Sequence, residues 1–195
     1  MYEKHILAPG IILYRTGKEA VEGFVDDIES RFSDSWNEAK VVNTETYEAE
    51  TSEGRKCFDF VIQEGDQQVQ PLYEKIDNWI KPALKDFTDT YFVEKVVSDS
   101  YLLLKYGNEG KFDNHVDDGG KFPRTVSVSA YINDEYSGGE LEFNNFNIVH
   151  KPIAGDIVFF CSAFPYMHRV SPVTEGVRYA VVNWYRYSTY LKEIV

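Results

Sequence analysis

The sequence predicts a single, mainly β domain of the α+β class. Two amphipathic helical patterns fall in its first half, short β-rich runs separated by turns fill its second half, and no linker, repeat or low-complexity tract divides them. Its 195 residues exceed the commonest domain size yet stay below the length at which cores split.

The first pattern spans Lys18 to Phe32: Val21, Phe24, Val25, Ile28 and Phe32 recur at three- and four-residue steps, with Glu19, Glu22, Asp26 and Glu29 opposite. One buried stripe follows. The second repeats it through Leu72, Ile76, Trp79, Ile80, Ala83, Phe87 and Tyr91, with Pro71 suited to the first turn and Pro82 expected to kink or break the helix. Both helices should cover one face of a sheet. Between them, Val41-Val42 and Phe58 to Ile62 read as strands joined by an exposed loop, and Thr44 to Arg55 is the least ordered segment. From Val96 onward the runs Tyr101 to Tyr106, Thr125 to Asn133, Gly139 to Phe143, Ile157 to Phe160 and Tyr179 to Tyr187 suggest a sandwich or barrel.

Composition narrows the function classes. Hydrophobic residues at 43% and charged residues at 27% fit a globular chain. No apolar stretch approaches the roughly 20 residues of a membrane helix, and Met1 to Gly10 has no apolar signal core, so a cytoplasmic protein without a membrane partner is expected. The net charge of -12 opposes phosphate backbones and argues against nucleic acid as a partner. Cys57 and Cys161 are too few and too far apart for a disulfide scaffold or thiolate zinc.

Four histidines are present, and two have company. His115 and Asp117 stand at i and i+2, which on an extended segment points both side chains to one face. With His168 they would make two imidazoles and one carboxylate, a facial set that suits Fe(II). Taken alone, His-x-Asp also fits a solvated loop after Gly110. Ten residues past His168 comes Arg178, beyond Pro172 and Gly176. A chain reversal there would put His168 and Arg178 on paired strands, with the guanidinium deep in the cavity and matched to the far end of a dicarboxylic acid. A surface ion pair to Glu175 or Glu140 is the simpler alternative. His5 and His150 read as structural or exposed, Met167 as core, and Asp118 as facing away from the other donors.

These residues carry a family resemblance. Tyr106-Gly-Asn-Glu-Gly-Lys-Phe-Asp-Asn-His115-Val-Asp117 resembles the first iron-binding motif of prolyl 4-hydroxylase-like 2-oxoglutarate and Fe(II)-dependent dioxygenases. Arg124 to Asn133, ending Tyr131-Ile132-Asn133, is similar to the family's Arg followed by a Tyr-Leu-Asn strand. Ser137-Gly-Gly-Glu-Leu-Glu-Phe143, the Lys151 to Phe160 segment, and His168 with Arg178 and Trp184 agree with the remaining motifs in order. The match covers about residues 99 to 187, and Arg55 agrees loosely with an Arg in the family's N-terminal part.

The resemblance implies a double-stranded β-helix, a cupin-like jelly roll with supporting N-terminal helices: residues 1–98 as support and N-terminal strands, 99–187 as the catalytic core. It implies Fe(II) on His115, Asp117 and His168, and 2-oxoglutarate held by Arg178 with Tyr131 and Tyr106. Dioxygen would be co-substrate, ascorbate an auxiliary reductant, and succinate and CO2 co-products. From spacing alone Tyr106 and Tyr131 could equally be core tyrosines. Arg124 and Trp184 are expected on the substrate side, the pair Tyr166-Met167 is expected to shape preference there, and Thr44 to Arg55 is the candidate loop closing over a proline-containing peptide or protein. Two other readings stay open: a hydroxylase of a free amino acid or small metabolite, and a non-catalytic cupin-like metal-binding protein. Oligomeric state is not legible.

Overall fold

The computed structural model describes residues 2–43, 46, 48–98, 100–119 and 123–188, and its architecture is a mostly β jelly roll flanked by helices. The larger sheet orders its main strands Glu3–Ala8, Ile11–Arg15, Asp156–Cys161, Val126–Tyr131, Arg178–Tyr187, Ser100–Tyr106, Phe58–Gln63 and Asn37–Glu38. The smaller sheet orders Ile148–His150, Leu141–Phe143, His168–Val170, Lys111–His115 and Arg55–Lys56. Every pairing described between these strands is antiparallel.

Strand alternation divides the large sheet into two faces. Ile12, Tyr14, Val126, Val128, Ile157, Phe159 and Val181 pack with Phe24, Ile28, Ile76, Ile80 and Phe87 of the helices. Their neighbours Ile11, Leu13, Tyr131, Val158, Phe160 and Ala180 turn the other way, onto Leu141 and Phe143 of the small sheet. Tyr106, Val170 and Val173 extend this inner layer at one end, with Cys57 beside them. Both faces of the central strands are buried, which is why they read as continuous apolar runs.

Several expectations need correction. The Lys18 to Phe32 pattern is not one helix: a 3-10 turn over Lys18–Val21 precedes the α-helix Phe24–Phe32, and Gly23 between them sits at φ 72. That left-handed conformation costs glycine little and redirects the chain while Val21 and Phe24 stay buried. The second helix, Gln70–Tyr91, runs through Pro82 without a break. Pro82 and Asn78, whose carbonyl loses its usual donor, both lie on the exposed side, where water can replace the bond. The hairpin Glu3–Ala8 and Ile11–Arg15 was not foreseen, although Ile11 to Tyr14 is the short, fully buried apolar run of a central strand. Of Thr44 to Arg55, Thr44, Glu45 and Tyr47 lie outside the described residues. Ala49–Glu50 pairs with Val41–Val42, and Arg55–Lys56 forms the edge of the small sheet.

His168 and Arg178 are not on paired strands. His168–Val170 pairs with Lys111–His115 and Leu141–Phe143, Val173–Gly176 pairs with Tyr136–Gly138, and Arg178 begins the central strand of the opposite sheet. The segment after His168 crosses between the sheets, so the two residues approach one cavity from opposite walls.

Candidate functional site

The strand Lys111–His115 and the strand His168–Val170 are neighbours, and their register sets His115 opposite His168. Asp117 does not continue the strand as the i, i+2 reading assumed: it lies in a bend two residues past its end. The bend still returns its carboxylate to the pair. His115 Nε2 is 3.7 Å from Asp117 Oδ1 and His168 Nε2 is 3.8 Å from Oδ2. One potential ligand atom from each residue falls within 4.8 Å of the others.

Each imidazole is oriented by its own local backbone. His115 Nδ1–H donates to the Asp113 carbonyl at 2.8 Å, and His168 Nδ1–H donates to the Tyr166 carbonyl at 3.0 Å. A carbonyl only accepts, so Nδ1 carries the proton and Nε2 turns its lone pair toward Asp117. Phe112 stacks on His115 with centroids 3.6 Å apart, and the Arg55 guanidinium carbon lies 4.9 Å from the far ring. Burial, then the neighbouring His168, pushes His115 down to about 4. Burial alone would raise the Asp117 carboxyl, but His168 and His115 hold it below its ordinary value. Two imidazole Nε2 atoms facing a buried carboxylate are a donor set suited to a divalent cation, and its nitrogen and oxygen chemistry fits Fe(II).

The triad opens into a cavity of about 450 Å³ counted to its mouth, whose lining also includes Tyr106, Ser129, Arg178 and Trp184. Arg178 is 1% exposed, and neither alternative partner reaches it: Glu140 is engaged by Ser171 and Lys151, and Glu175 by Ser137. Its guanidinium carbon stands 4.7 Å from the Tyr106 ring centroid and 5.0 Å from that of Tyr131. Arg178 Nε and Nη1 and the Tyr131 hydroxyl are buried without a hydrogen-bond partner among the described residues. A buried cation with idle donors is costly unless an anion engages it. These orphans fit an acid group and are the structural reason to seat a carboxylate at this end of the cavity.

Trp184 lines the cavity, but Arg124 stands behind it. The Arg124 guanidinium carbon lies 4.0 Å over the Trp184 ring, and Nη1 donates to the Asp117 carbonyl at 3.0 Å. Its backbone N–H donates to Asp118 Oδ1, which explains why Asp118 is no ligand. His150 is buried with Nε2 3.1 Å from Asp156 Oδ2, and exposed His5 lies beside Glu3; neither approaches the triad. Met167 is half-buried rather than core, because the 3-10 turn Phe164–Tyr166 lifts it to the rim while Tyr166 stacks on Phe146 and donates to the Pro9 carbonyl. Ser129 and Phe112, which also line the cavity, were missed, and nothing in their spacing offered a signal.

Residues 101–186 match the model of the 2OG-Fe(II) oxygenase superfamily. Among curated proteins, a PKHD-type hydroxylase of Aliarcobacter butzleri is 32% identical over 129 residues, 58% of this chain and 55% of that protein. A putative prolyl 4-hydroxylase of Acanthamoeba polyphaga mimivirus is 28% identical over 142 residues, covering 64% and 55% respectively. The chain spans about half the length of the curated relatives it matches. A Trichoplax adhaerens prolyl hydroxylase, solved with a hypoxia inducible factor oxygen degradation domain peptide fragment, superposes with a TM-score of 0.74 at 16% identity over 95% of this chain and 86% of that one. A Pseudomonas putida prolyl-4-hydroxylase gives 0.68 at 20% identity over 91% and 92%. At such identities these likenesses establish the fold.

Proposed function

We propose that this chain, whose residues 101–186 carry the 2OG-Fe(II) oxygenase match, is an Fe(II)- and 2-oxoglutarate-dependent dioxygenase that hydroxylates a prolyl residue in a peptide or protein. The observation that carries the reading is the convergence of His115, Asp117 and His168 at one end of a cavity with the unpaired cation Arg178 on its opposite wall. His115 Nε2, a carboxylate oxygen of Asp117 and His168 Nε2 would hold the metal, leaving coordination positions open for a chelating co-substrate and dioxygen. Arg178, with Tyr131, would grip the distal carboxylate of 2-oxoglutarate, and Tyr106 would wall that end. Bound Fe(II), 2-oxoglutarate and dioxygen supply the oxidising power to place a hydroxyl on carbon, with succinate and CO2 as co-products.

The chain's own contribution is positional. The Asp113 and Tyr166 carbonyls fix the imidazole tautomers, the Phe112 ring blocks one face of His115, and the apolar walls Leu104, Val128, Leu141 and Phe160 limit water near the reacting centre. Trp184, on the cavity lining, would meet substrate there, with Arg124 acting through it. Ser52, Glu53 and Arg55, from the segment we assign to closing over a peptide, line a second cavity of about 890 Å³ that shares Arg55 with the first. We read residues 1–195 as one functional unit working in a reducing, cytoplasmic setting, which the free thiols Cys57 and Cys161 support. Among the described residues no helix is long and apolar enough to cross a membrane.

The test is mass spectrometry of proline-containing peptides incubated with the protein, Fe(II), 2-oxoglutarate and ascorbate. Addition of one oxygen at proline is expected. Succinate release driven by a free amino acid and never by peptides would reassign the substrate, and no succinate under any condition would remove the dioxygenase reading.

A further inference from the structure

Two separate routes join residues 51–55 to the imidazole of His115. The first is a chain of hydrogen bonds: the Asp113 N–H donates to the Gly54 carbonyl at 2.7 Å, and the Asp113 carbonyl accepts from His115 Nδ1–H at 2.8 Å. The second is a stack of three layers. Phe112 lies against His115 with centroids 3.6 Å apart and planes 18° from parallel, and the Arg55 guanidinium carbon stands 4.9 Å from the Phe112 centroid.

Register explains the stack. Arg55 pairs with Phe112 and Phe112 with Val170, so these three side chains share the inner face of the small sheet. Arg55 is the edge member, yet its side chain is only 10% exposed. Asp59 Oδ2 lies 3.9 Å from Nη2, beyond hydrogen-bond reach, and Nε is buried without a partner among the described residues. The guanidinium rests instead on the aromatic face and donates from Nη1 to the Lys40 carbonyl at 2.6 Å. Lys40 and Arg55 thereby bracket the hairpin in which Val41–Val42 pairs with Ala49–Glu50. Arg55 lines both cavities, while Thr51, Ser52 and Glu53 line the second alone. A displacement of the hairpin therefore moves a guanidinium and a carbonyl that both bear on one imidazole.

We propose that Arg55 is a positioning residue for His115 which, acting through Phe112, couples the hairpin beside the second cavity to the metal site. An occupant seated against residues 51–53 bears on the metal through this relay. A bound metal in turn orders the hairpin, because coupling between two sites is reciprocal. The inference rests on the metal-site reading given above.

The experiment is hydrogen–deuterium exchange of the full chain, followed over residues 48–56 with and without saturating Mn(II), beside Mn(II) titration by electron paramagnetic resonance. Wild type, Arg55→Gln, Arg55→Lys, Phe112→Leu and the double variant Arg55→Gln with Phe112→Leu are compared. In wild type, Mn(II) is expected to slow exchange over residues 48–56 by about fivefold or more. In Arg55→Gln that slowing is expected to vanish and Mn(II) affinity to fall about tenfold, with Arg55→Lys recovering part of both. The double variant is expected to bind Mn(II) no more weakly than Phe112→Leu, since residues acting in series do not add. Exchange over residues 48–56 that ignores Mn(II) bound to wild type would overturn the proposal. So would fully additive losses in the double variant. Faster exchange in Arg55→Gln, with the slowing by Mn(II) and the affinity both intact, would make Arg55 a structural support of the hairpin and overturn it as well. A wild type that does not bind Mn(II) at all would remove the metal-site reading and the proposal with it.

Discussion

Replacing Arg124 by Met removes a charge while keeping most of the side-chain length, and the structure sets the size of the effect. Two interactions are lost: the Nη1 hydrogen bond to the Asp117 carbonyl at 3.0 Å and the stack on Trp184 at 4.0 Å. A hydrogen bond from a charged donor contributes about 1.5–3 kcal/mol, and a cation over an aromatic face about 0.5–2 kcal/mol. Arg124 is only half-buried, so solvent screening favours the lower ends, for a total near 2 kcal/mol. In a domain of this size that lowers Tm by roughly 4–8 °C. The more specific consequence is at the metal. Asp117 sits in a bend outside any strand, and Arg124 ties that bend to the large sheet, so Arg124→Met should weaken divalent metal binding by about 10- to 100-fold. Manganese titration followed by electron paramagnetic resonance measures this without substrate, and Arg124→Lys, which can still reach the carbonyl, should fall between. Unaltered metal affinity in Arg124→Met, with weakened peptide binding instead, would refute the latch and return Arg124 to the substrate surface.

Other outcomes follow from the same geometry. Asp117→Ala should abolish metal-dependent succinate release and leave the far-UV circular dichroism unchanged, since its carboxylate lies in a bend outside the apolar clusters, and His168→Ala should abolish release with a modest loss of stability, because its ring packs on Phe143 and Phe160; loss of folded signal in both would mean packing roles. Arg178→Met should reduce 2-oxoglutarate affinity by about 100-fold or more yet leave metal binding intact, and, because it removes a buried cation with idle donors, should raise the Tm of the ligand-free protein. A lowered Tm in thermal unfolding would contradict that. Gly139→Ala forces a side chain into a position at φ +67 and against Arg178, so it should destabilise by about 1–2 kcal/mol in urea unfolding and weaken 2-oxoglutarate more than metal.

Much of the site was legible because its chemistry is carried by residue types rare in such settings. A His-x-Asp after a strand and a lone Arg opening an apolar run stand out against the alternation around them. What was not legible depended on register and on chain crossings. Nothing in Pro172 to Gly176 tells whether the chain folds back on its own sheet or crosses to the other, so Arg178 was assigned to the right cavity by the wrong route. Arg124 was expected on the substrate side, and its contacts with the Asp117 carbonyl and the Trp184 ring were not legible, because spacing alone does not tell which neighbour a guanidinium meets. The break at Gly23 and the intact helix through Pro82 share one cause: a local breaker yields when water or a burial demand offers its backbone an alternative.

The alternation along the central strands has a consequence for how this protein can change. Within Arg178–Tyr187 the odd-numbered Tyr179, Val181 and Tyr185 pack into the layer that holds the helices, whereas the even-numbered Arg178, Val182 and Trp184 furnish the working chamber. Point substitutions can therefore retune selectivity on one set while the other keeps the scaffold standing. A single-residue deletion within Arg178–Tyr187 would instead exchange the two sets, turning valines toward His115, Asp117 and His168 and sending a tryptophan into the helix layer; such lengths should be far less free to drift than the identities they carry.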